Sequence, residues 1–376
     1  MGRLDRLVLG DGVPDAPQDR AEGFRYLLRA LAAGFILCVE HGDAEHPEFG
    51  RMVDHRMAWG LDCPDCLYLY TAVRGDATYR IWGNRGSANH FDVQVNAGHF
   101  ASGNIQDWTV ITNVSGDDLE VGPGGELEMV LSPTEREGNW LRNAEGAEFI
   151  LIRQYFDDWS AERPADLVIE RLDADYPTPP PAPADLAQRY DRLIEWLDTG
   201  VDYWEEWSRN WLALAPNSMT FVVDDVSVGL RGQAYGLGNF YCEPDEAVLL
   251  TWEPVVCRHF SFSLANWYWE SLDFATHQSS LNRNQSTVDP DGKLRMVIAH
   301  QDPGHANWLD PVGHTKGSLA GRVLLPEGPV AQPASQVIPL EELGEILPPD
   351  TARISPEERT TVLAARRRAV WHRYRR

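Results

Sequence analysis

The residues best suited to chemistry stand in one stretch, His300-Gln301-Asp302-Pro303-Gly304-His305-Ala306-Asn307-Trp308-Leu309-Asp310-Pro311-Val312-Gly313-His314. Three imidazoles, two carboxylates, an asparagine and an indole lying this close can move protons near neutral pH, hold a polar ligand or bind a metal. Asp302, His305, Asp310 and His314 form an acid/base set that partial burial would tune, with Asn307 and Trp308 between them as substrate-binding candidates. His300 and Asp302 lie two apart and would share one face of an extended strand, the start of a two-His-one-carboxylate triad. His300 is therefore the candidate ligand for a divalent metal. A third reading has the same Asp and Asn side chains tying a long loop to its own backbone.

Such a loop needs a rigid support. It follows the apolar run Leu294 to Ala299, and Asp302-Pro303-Gly304-His305 carries a tight-turn signature, with Pro presetting φ and Gly tolerating positive φ. From Cys66 onward come short aromatic and branched runs cut by Gly, Asn and Asp: Leu67-Tyr68-Leu69-Tyr70, Tyr79-Arg80-Ile81-Trp82, Phe91-Asp92-Val93-Gln94-Val95, Thr109-Val110-Ile111-Thr112, Leu127-Glu128-Met129-Val130-Leu131 and Phe149-Ile150-Leu151-Ile152. A second block holds Phe221-Val222-Val223, Ala247 to Trp252, Phe260 to Trp267, Leu294 to Ala299 and Leu319 to Leu325. This spacing predicts a mainly β (α+β) chain of two antiparallel β-sandwich or jelly-roll-like domains.

Tyr176 to Pro183 carries five prolines, favours extended backbone and reads as a connector. The expected segments are an N-terminal helical piece (1–60), a first sandwich (61–175), a Pro-rich linker with a Trp-rich helix (176–215), a second sandwich (216–335) and a helical basic tail (336–376). Phe24, Leu27, Leu28, Leu31 and Phe35 recur at helical steps and predict a helix packing by that face. Asp185 is the expected cap of the next helix, whose Trp204, Trp207 and Trp211 share a packing face; Ser355-Pro356-Glu357-Glu358 opens the last helix.

The chain has 376 residues, with 33 Lys+Arg against 57 Asp+Glu and a net charge of −24, which repels phosphate backbones and excludes nucleic acid as a partner. The one basic concentration, Arg366, Arg367, Arg368, Arg373, Arg375 and Arg376, reads as a helical tail docking on an acidic body of its own or another copy, and so points to a homo-oligomer through the C-terminal tail. No stretch reaches the roughly 20 apolar residues that span a bilayer, Leu31 to Val39 being too short, and the first residues lack the apolar segment of a secretory signal. Five irregularly spaced cysteines, Cys38, Cys63, Cys66, Cys242 and Cys257, fit reduced thiols. The expectation is a soluble, cytoplasmic protein with no membrane partner.

Cys63-Pro64-Asp65-Cys66 is a lone C-x-x-C without the ligands of a structural zinc or the βαβ context of a redox site. G-x-S-x-G, H-E-x-x-H and P-loop patterns are missing, so no nucleotide cofactor is expected. Gly122-Pro123-Gly124-Gly125 reads as a hairpin, and Asp157-Asp158 and Asp224-Asp225 as solvated turns.

Several strings carry a likeness: Pro64-Asp65 before Leu67-Tyr68, Asn139-Trp140-Leu141, Arg153-Gln154-Tyr155-Phe156 with Asp158-Trp159, Pro216-Asn217, Asp245-Glu246-Ala247, Leu281-Asn282, Asp291-Gly292, and above all Asp302-Pro303-Gly304 through Asn307-Trp308-Leu309-Asp310 to Gly313. In these the chain resembles the bacterial family called domain of unknown function 1214, and its N-terminal half is similar to the companion unknown-function domain often fused to it. The resemblance implies two β-sandwich, jelly-roll-like domains and brings no established reaction. Asn217 and Asn282, from two of its strings, join Asn307 and Trp308 as substrate-binding candidates.

Three functions follow as expectations. The first is an enzyme acting by acid/base chemistry on a small, largely apolar hydroxylated molecule such as a terpenoid, steroid or aromatic, in an aromatic-lined pocket. The others are a glycan- or lipid-binding sandwich without catalysis, and a metal-dependent enzyme using His300 and Asp302.

Overall fold

Strands form where the branched and aromatic runs fall. They are β1 (Gly50–Arg51), β2 (Cys66–Ala72), β3 (Tyr79–Asn84), β4 (His90–Ala97), β5 (Thr109–Ser115), β6 (Glu126–Ser132), β7 (Trp140–Arg142), β8 (Ala147–Tyr155) and β9 (Asp166–Arg171), then β10 (Met219–Val223), β11 (Gln233–Tyr241), β12 (Glu246–Trp252), β13 (His259–Ala265), β14 (Ser280–Asn282), β15 (Leu294–Ala299), β16 (Trp308–Leu309), β17 (Lys316–Leu324) and β18 (Ala334–Pro339). The computed structural model describes residues 5–102, 108–223 and 232–375; Asp224, Asp225 and Arg376 lie outside them. The chain is mostly β and divides into two units. Unit 1 is Met1–Met57, Cys66–Phe156 and Glu162–Trp204, and unit 2 is Ala58–Asp65, Asp157–Ala161 and Glu205–Arg376. The Pro-rich stretch thus leads into a helix that stays with unit 1, and two short pieces of unit 2 are embedded in the sequence of unit 1.

Each unit is a sandwich of a five-stranded and a four-stranded sheet. Unit 1 has the orders β1-β2-β8-β4-β5 and β7-β6-β3-β9; unit 2 has β10-β11-β17-β13-β14 and β16-β15-β12-β18. The two sets match strand for strand, down to the single parallel pair in each, β6 with β7 and β15 with β16. The fold is therefore an internal repeat that the sequence does not display.

Alternation builds the cores. In β4, Phe91, Val93 and Val95 enter the core of unit 1 with Tyr79, Ile81, Ile150 and Ile152, while the residues between them face the other way. In β13, Phe260, Phe262 and Leu264 do the same beside Trp252 and Val323. A further apolar layer, with Leu249, Val297, Trp308, Ile338 and Leu343, covers the back of the four-stranded sheet of unit 2.

The helices depart from the sequence expectations in two places. α1 (Arg6–Leu9) is followed by α2 (Pro17–Gly34), which runs on as a π-helical turn, Phe35–Glu40. α2 packs by the opposite face: Tyr26, Ala30, Ala33 and Gly34 are buried, whereas Phe24 and Leu28 are 51% and 64% exposed. Small residues decide the matter by letting a neighbouring helix approach. Trp196 Nε1 donates to Ala30 O at 2.7 Å, and a Cβ on Gly34 would stand 2.3 Å from the Trp196 ring. α3 (Pro183–Glu195) is capped at Ala182, so Asp185 lies in its first turn and is not the cap. In α4 (Val201–Leu212), Trp204 packs near Trp108 within unit 1, while Trp207 stacks on Trp269 at 6.0 Å and Trp211 meets that ring edge-on at 5.0 Å within unit 2.

After the short α5 (Leu343–Ile346), α6 (Pro356–Tyr374) opens on a full capping box between Ser355 and Glu358. Its Arg359, Arg366 and Arg373 stand seven apart and are all buried against unit 2. Arg359 binds Asp302, Gln278 Oε1 and His305 O; Arg366 binds Phe274 O, Gln285 Oε1 and Ser280 Oγ; Arg373 binds Pro64 O. These cations of the tail are spent on the chain's own unit 2, while Arg367, Arg368 and Arg375 are exposed.

Ser355→Ala should lower stability by about 1 kcal/mol, and Trp252→Ala, which empties a core position ringed by Phe221, Phe260 and Phe262, by about 3–5 kcal/mol, both read from urea denaturation.

Candidate functional site

The 300–314 loop is held by hydrogen bonds, some within it and more to the segments around it. His300 Nε2 lies 2.9 Å from Cys242 O, an acceptor, so that nitrogen carries its proton and donates. Asp302 takes Gly304 N–H on Oδ1 and Arg359 on Oδ2, and Gly304 has the expected positive φ. His305 is buried, and its Nδ1 accepts from Asn307 N–H; burial pulls its pKa down to about 4, so it is neutral at physiological pH. Asn307 clamps Thr287 and Arg295, and Trp308 Nε1 donates to Ala299 O. Asp310 pairs with His277 at 2.7 Å, and His314 is buried with its N–H on Pro311 O. A shallow cleft of about 710 Å³ passes Gln301, Asp245 and Leu340, and none of the four acid/base candidates lines it. Among the described residues no group of three or more His, Cys, Asp or Glu side chains is arranged to hold a metal.

Asn217 has a similar occupation. It sits at φ +56 and clasps Tyr241 through both ends of its amide. All five cysteines are buried, and burial pushes the Cys38 and Cys242 thiols up to about 12 and Cys257 to about 11, where none of these three is a thiolate nucleophile at neutral pH.

Asn282 belongs to a different cluster, inside unit 2. Its Nδ2 donates to Asp65 Oδ1 at 2.7 Å and to Asp157 O at 3.1 Å, and Trp159 Nε1 donates to the same Asp65 oxygen at 2.8 Å. His259, fully buried, bonds Asp157 through Nδ1 at 2.5 Å, with Asp65 Oδ2 3.9 Å from Nε2. Burial alone would lower the His259 pKa, but the Asp157 hydrogen bond and the two carboxylate charges outweigh it and raise it. Asp157 is therefore no solvated turn; it is 7% exposed and pairs with the buried His259 ring. Arg366 and Arg373 each hold their guanidinium 4.6 Å from the Trp159 ring. Three short strings far apart in sequence, around Asp65, Trp159 and Asn282, thus meet in one buried knot that braces unit 2.

The side chains most suggestive of chemistry lie on the outer face of the five-stranded sheet of unit 1. There His90, Asp92, Gln94 and Asn96 alternate along β4 with the core residues, and all four are buried. Arg153 stands opposite Asp92 on β8, with Tyr68 opposite Arg153 on β2. The Arg153 guanidinium is 3.6 Å from Asp92 Oδ1 and bonds Gln94 Oε1, while Asn113 on the edge strand β5 donates to Asp92 Oδ2. Among the described residues Asp92 Oδ1 has no hydrogen-bond partner. Burial raises the Asp92 pKa, Arg153 and Asn113 offset part of this, and the result is about 6.

Unit 2 repeats the pattern at the same register. His259 stands where His90 does, Arg322 where Arg153 does and Tyr235 where Tyr68 does, but Ser261 replaces Asp92. The sequence reading passed over Asp92 and Arg153. The available signal was a polar residue at every second place between Phe91, Val93 and Val95, in a strand whose polar face the fold then buries.

No protein-family model matches the chain, and no curated protein does. The crystal structure of an uncharacterised protein from Burkholderia cenocepacia aligns with 30% identity and a TM-score of 0.85, over 91% of this chain and 95% of that one. The chain belongs to the same family as that Burkholderia protein. Membership of this family carries the two-sandwich fold along nearly the whole length, and no activity, since the Burkholderia member is itself uncharacterised. A structure from Vibrio parahaemolyticus aligns over 84% of the chain at 11% identity with a TM-score of 0.49 and carries no argument.

Two pH dependences follow. Because His259 has a raised folded-state pKa, its contribution is complete below about pH 6.5, the unfolded value, and is lost as pH rises through the folded value. The urea midpoint of unit 2 should fall between pH 6 and pH 9, and fall less in His259→Gln. Asp92 behaves oppositely: ionising it costs nothing below about pH 4 and its full cost above about pH 6. Asp92→Asn should therefore stabilise unit 1 by about 2–3 kcal/mol at pH 7 and scarcely at pH 4, measured by urea denaturation at both values.

Proposed function

We propose that the outer sheet face of unit 1 is a small-molecule site and that the protein is an enzyme working by acid/base chemistry, with Asp92 as the proton-transfer group and Arg153 as the holder of a negatively charged oxygen. The observation that carries the reading is Asp92 Oδ1, a buried carboxylate oxygen without a hydrogen-bond partner among the described residues, beside a guanidinium 3.6 Å away. Buried charge of this kind is costly where it serves only the fold, and strained electrostatics collect at functional sites.

A carboxyl with a pKa of about 6 populates both forms near neutral pH, so it can take a proton from a substrate and return it. Arg153 would stabilise charge developing on an alkoxide or enolate oxygen. The register-equivalent Arg322 supports this assignment, since it donates to a carbonyl oxygen, Leu61 O, at 2.7 Å. Leu151, Tyr155 and Tyr68 on the same face supply apolar and aromatic surface for the rest of the ligand. A largely apolar molecule with one hydroxyl or carbonyl fits this lining better than a sugar or a nucleotide. Half-buried Asn113 marks the edge-strand side from which it would enter.

Carboxyl-labelled aspartate NMR should show one residue titrating near pH 6 that vanishes in Asp92→Asn. A thermal-shift panel of cyclic alcohols, cyclic ketones and ring carboxylates should stabilise the wild type, and Arg153→Met should abolish the shift. On a compound so found, Asp92→Asn should cut turnover by about 10²–10⁴. No stabilising compound, or equal stabilisation of the Arg153→Met protein, would overturn the proposal.

A further inference from the structure

The exposed face of α2 is not a random scatter of apolar side chains. Phe24, Leu28, Leu31 and Phe35 follow one another at steps of four, three and four, and Pro17 and Ala21 continue the series upstream. That is the spacing of a and d positions in a heptad, a seam whose knobs fit the gaps between the knobs of another helix. Phe24, Leu28, Leu31 and Phe35 are 51%, 64%, 39% and 43% exposed.

α3 has the same character. It is strongly one-sided yet contributes no buried residue, with Tyr190 and Ile194 49% and 57% exposed. It lies beside α2, since a Cβ on Gly34 would meet Leu193 Cδ1 at 2.7 Å. Summed, these six exposures come to about 600 Å², and as one surface that would be the upper end for the largest patch on a monomer. Two copies closing it on each other would bury about 1,200 Å², above the roughly 1,000 Å² that a stable interface needs.

We infer that this face is a homodimer interface, α2 of one copy seated against α2 of a second about a twofold axis. A lipid surface fits it less well. Amphipathic membrane helices carry a row of cations for headgroups, but Arg20 and Arg29 of α2 turn inward to Val8 O and His55 O, leaving Arg25. The interface does not involve the sheet face around Asp92, so its test is independent of the proposed activity.

Sedimentation velocity of the full chain at micromolar concentration should give the mass of two chains. Phe24→Glu and Leu28→Glu, both at exposed positions, should give the mass of one with unchanged far-UV circular dichroism, weakening association by about 100-fold or more. A monomeric wild type, or a dimer that persists in both variants, would overturn the inference. Flotation with phosphatidylcholine/phosphatidylglycerol vesicles should leave the protein unbound; binding by a monomeric wild type that Leu28→Glu abolishes would replace the second copy with lipid.

Discussion

A histidine with no access to water must find its polar partners within the protein, and unit 2 is arranged around that requirement at His259. The carboxylates, Asp157 and Asp65, come from two short segments that lie far upstream of the strand bearing the histidine. Fixing Asp65 also fixes Asn282 and Trp159, which share its Oδ1, and fixing the Trp159 ring gives Arg366 and Arg373 a surface to lie on. A buried pair of this kind contributes little beyond what well-packed apolar residues would, but losing either member leaves an uncompensated charge. Its effect is to specify a single arrangement of strands, inserts and helix.

The repeat lets the two outer sheet faces be compared position by position. Both sandwiches place His, Arg and Tyr at one register, and they diverge at the position of Asp92 and Ser261. In unit 2 the histidine and arginine bond a carboxylate and a carbonyl of the same unit, Asp157 and Leu61 O. In unit 1 the arginine faces a carboxylate whose pKa is held near neutrality.

Much of the architecture was legible because strands declare themselves locally. β15 begins and ends where the apolar run Leu294 to Ala299 does, and the Ser355 capping box forms as its spacing indicates. The burial of α2 was not legible. Periodicity identifies a stripe but not which side of the helix the body covers, and here Ala30, Ala33 and Gly34 win because they permit closer approach than Phe or Leu. The 300–314 loop reads two ways for a related reason: Asp, Asn and His are the residues that do chemistry and also the ones that satisfy loop backbone. Asn282 was singled out for a ligand and serves the His259 knot. Asp92 was hidden inside a strand that read as ordinary alternation, because only the assembled sheet shows that its polar face is buried.

The embedding of Ala58–Asp65 and Asp157–Ala161 has a consequence for inheritance. A duplicated sandwich would ordinarily remain a module, able to be cut out, shuffled or fused elsewhere as a contiguous stretch of gene. Here the second sandwich draws Asp65 and Asp157 from within the coding stretch of the first, so no single crossover can separate them intact. The two sandwiches, alike in topology, are bound to evolve as one unit.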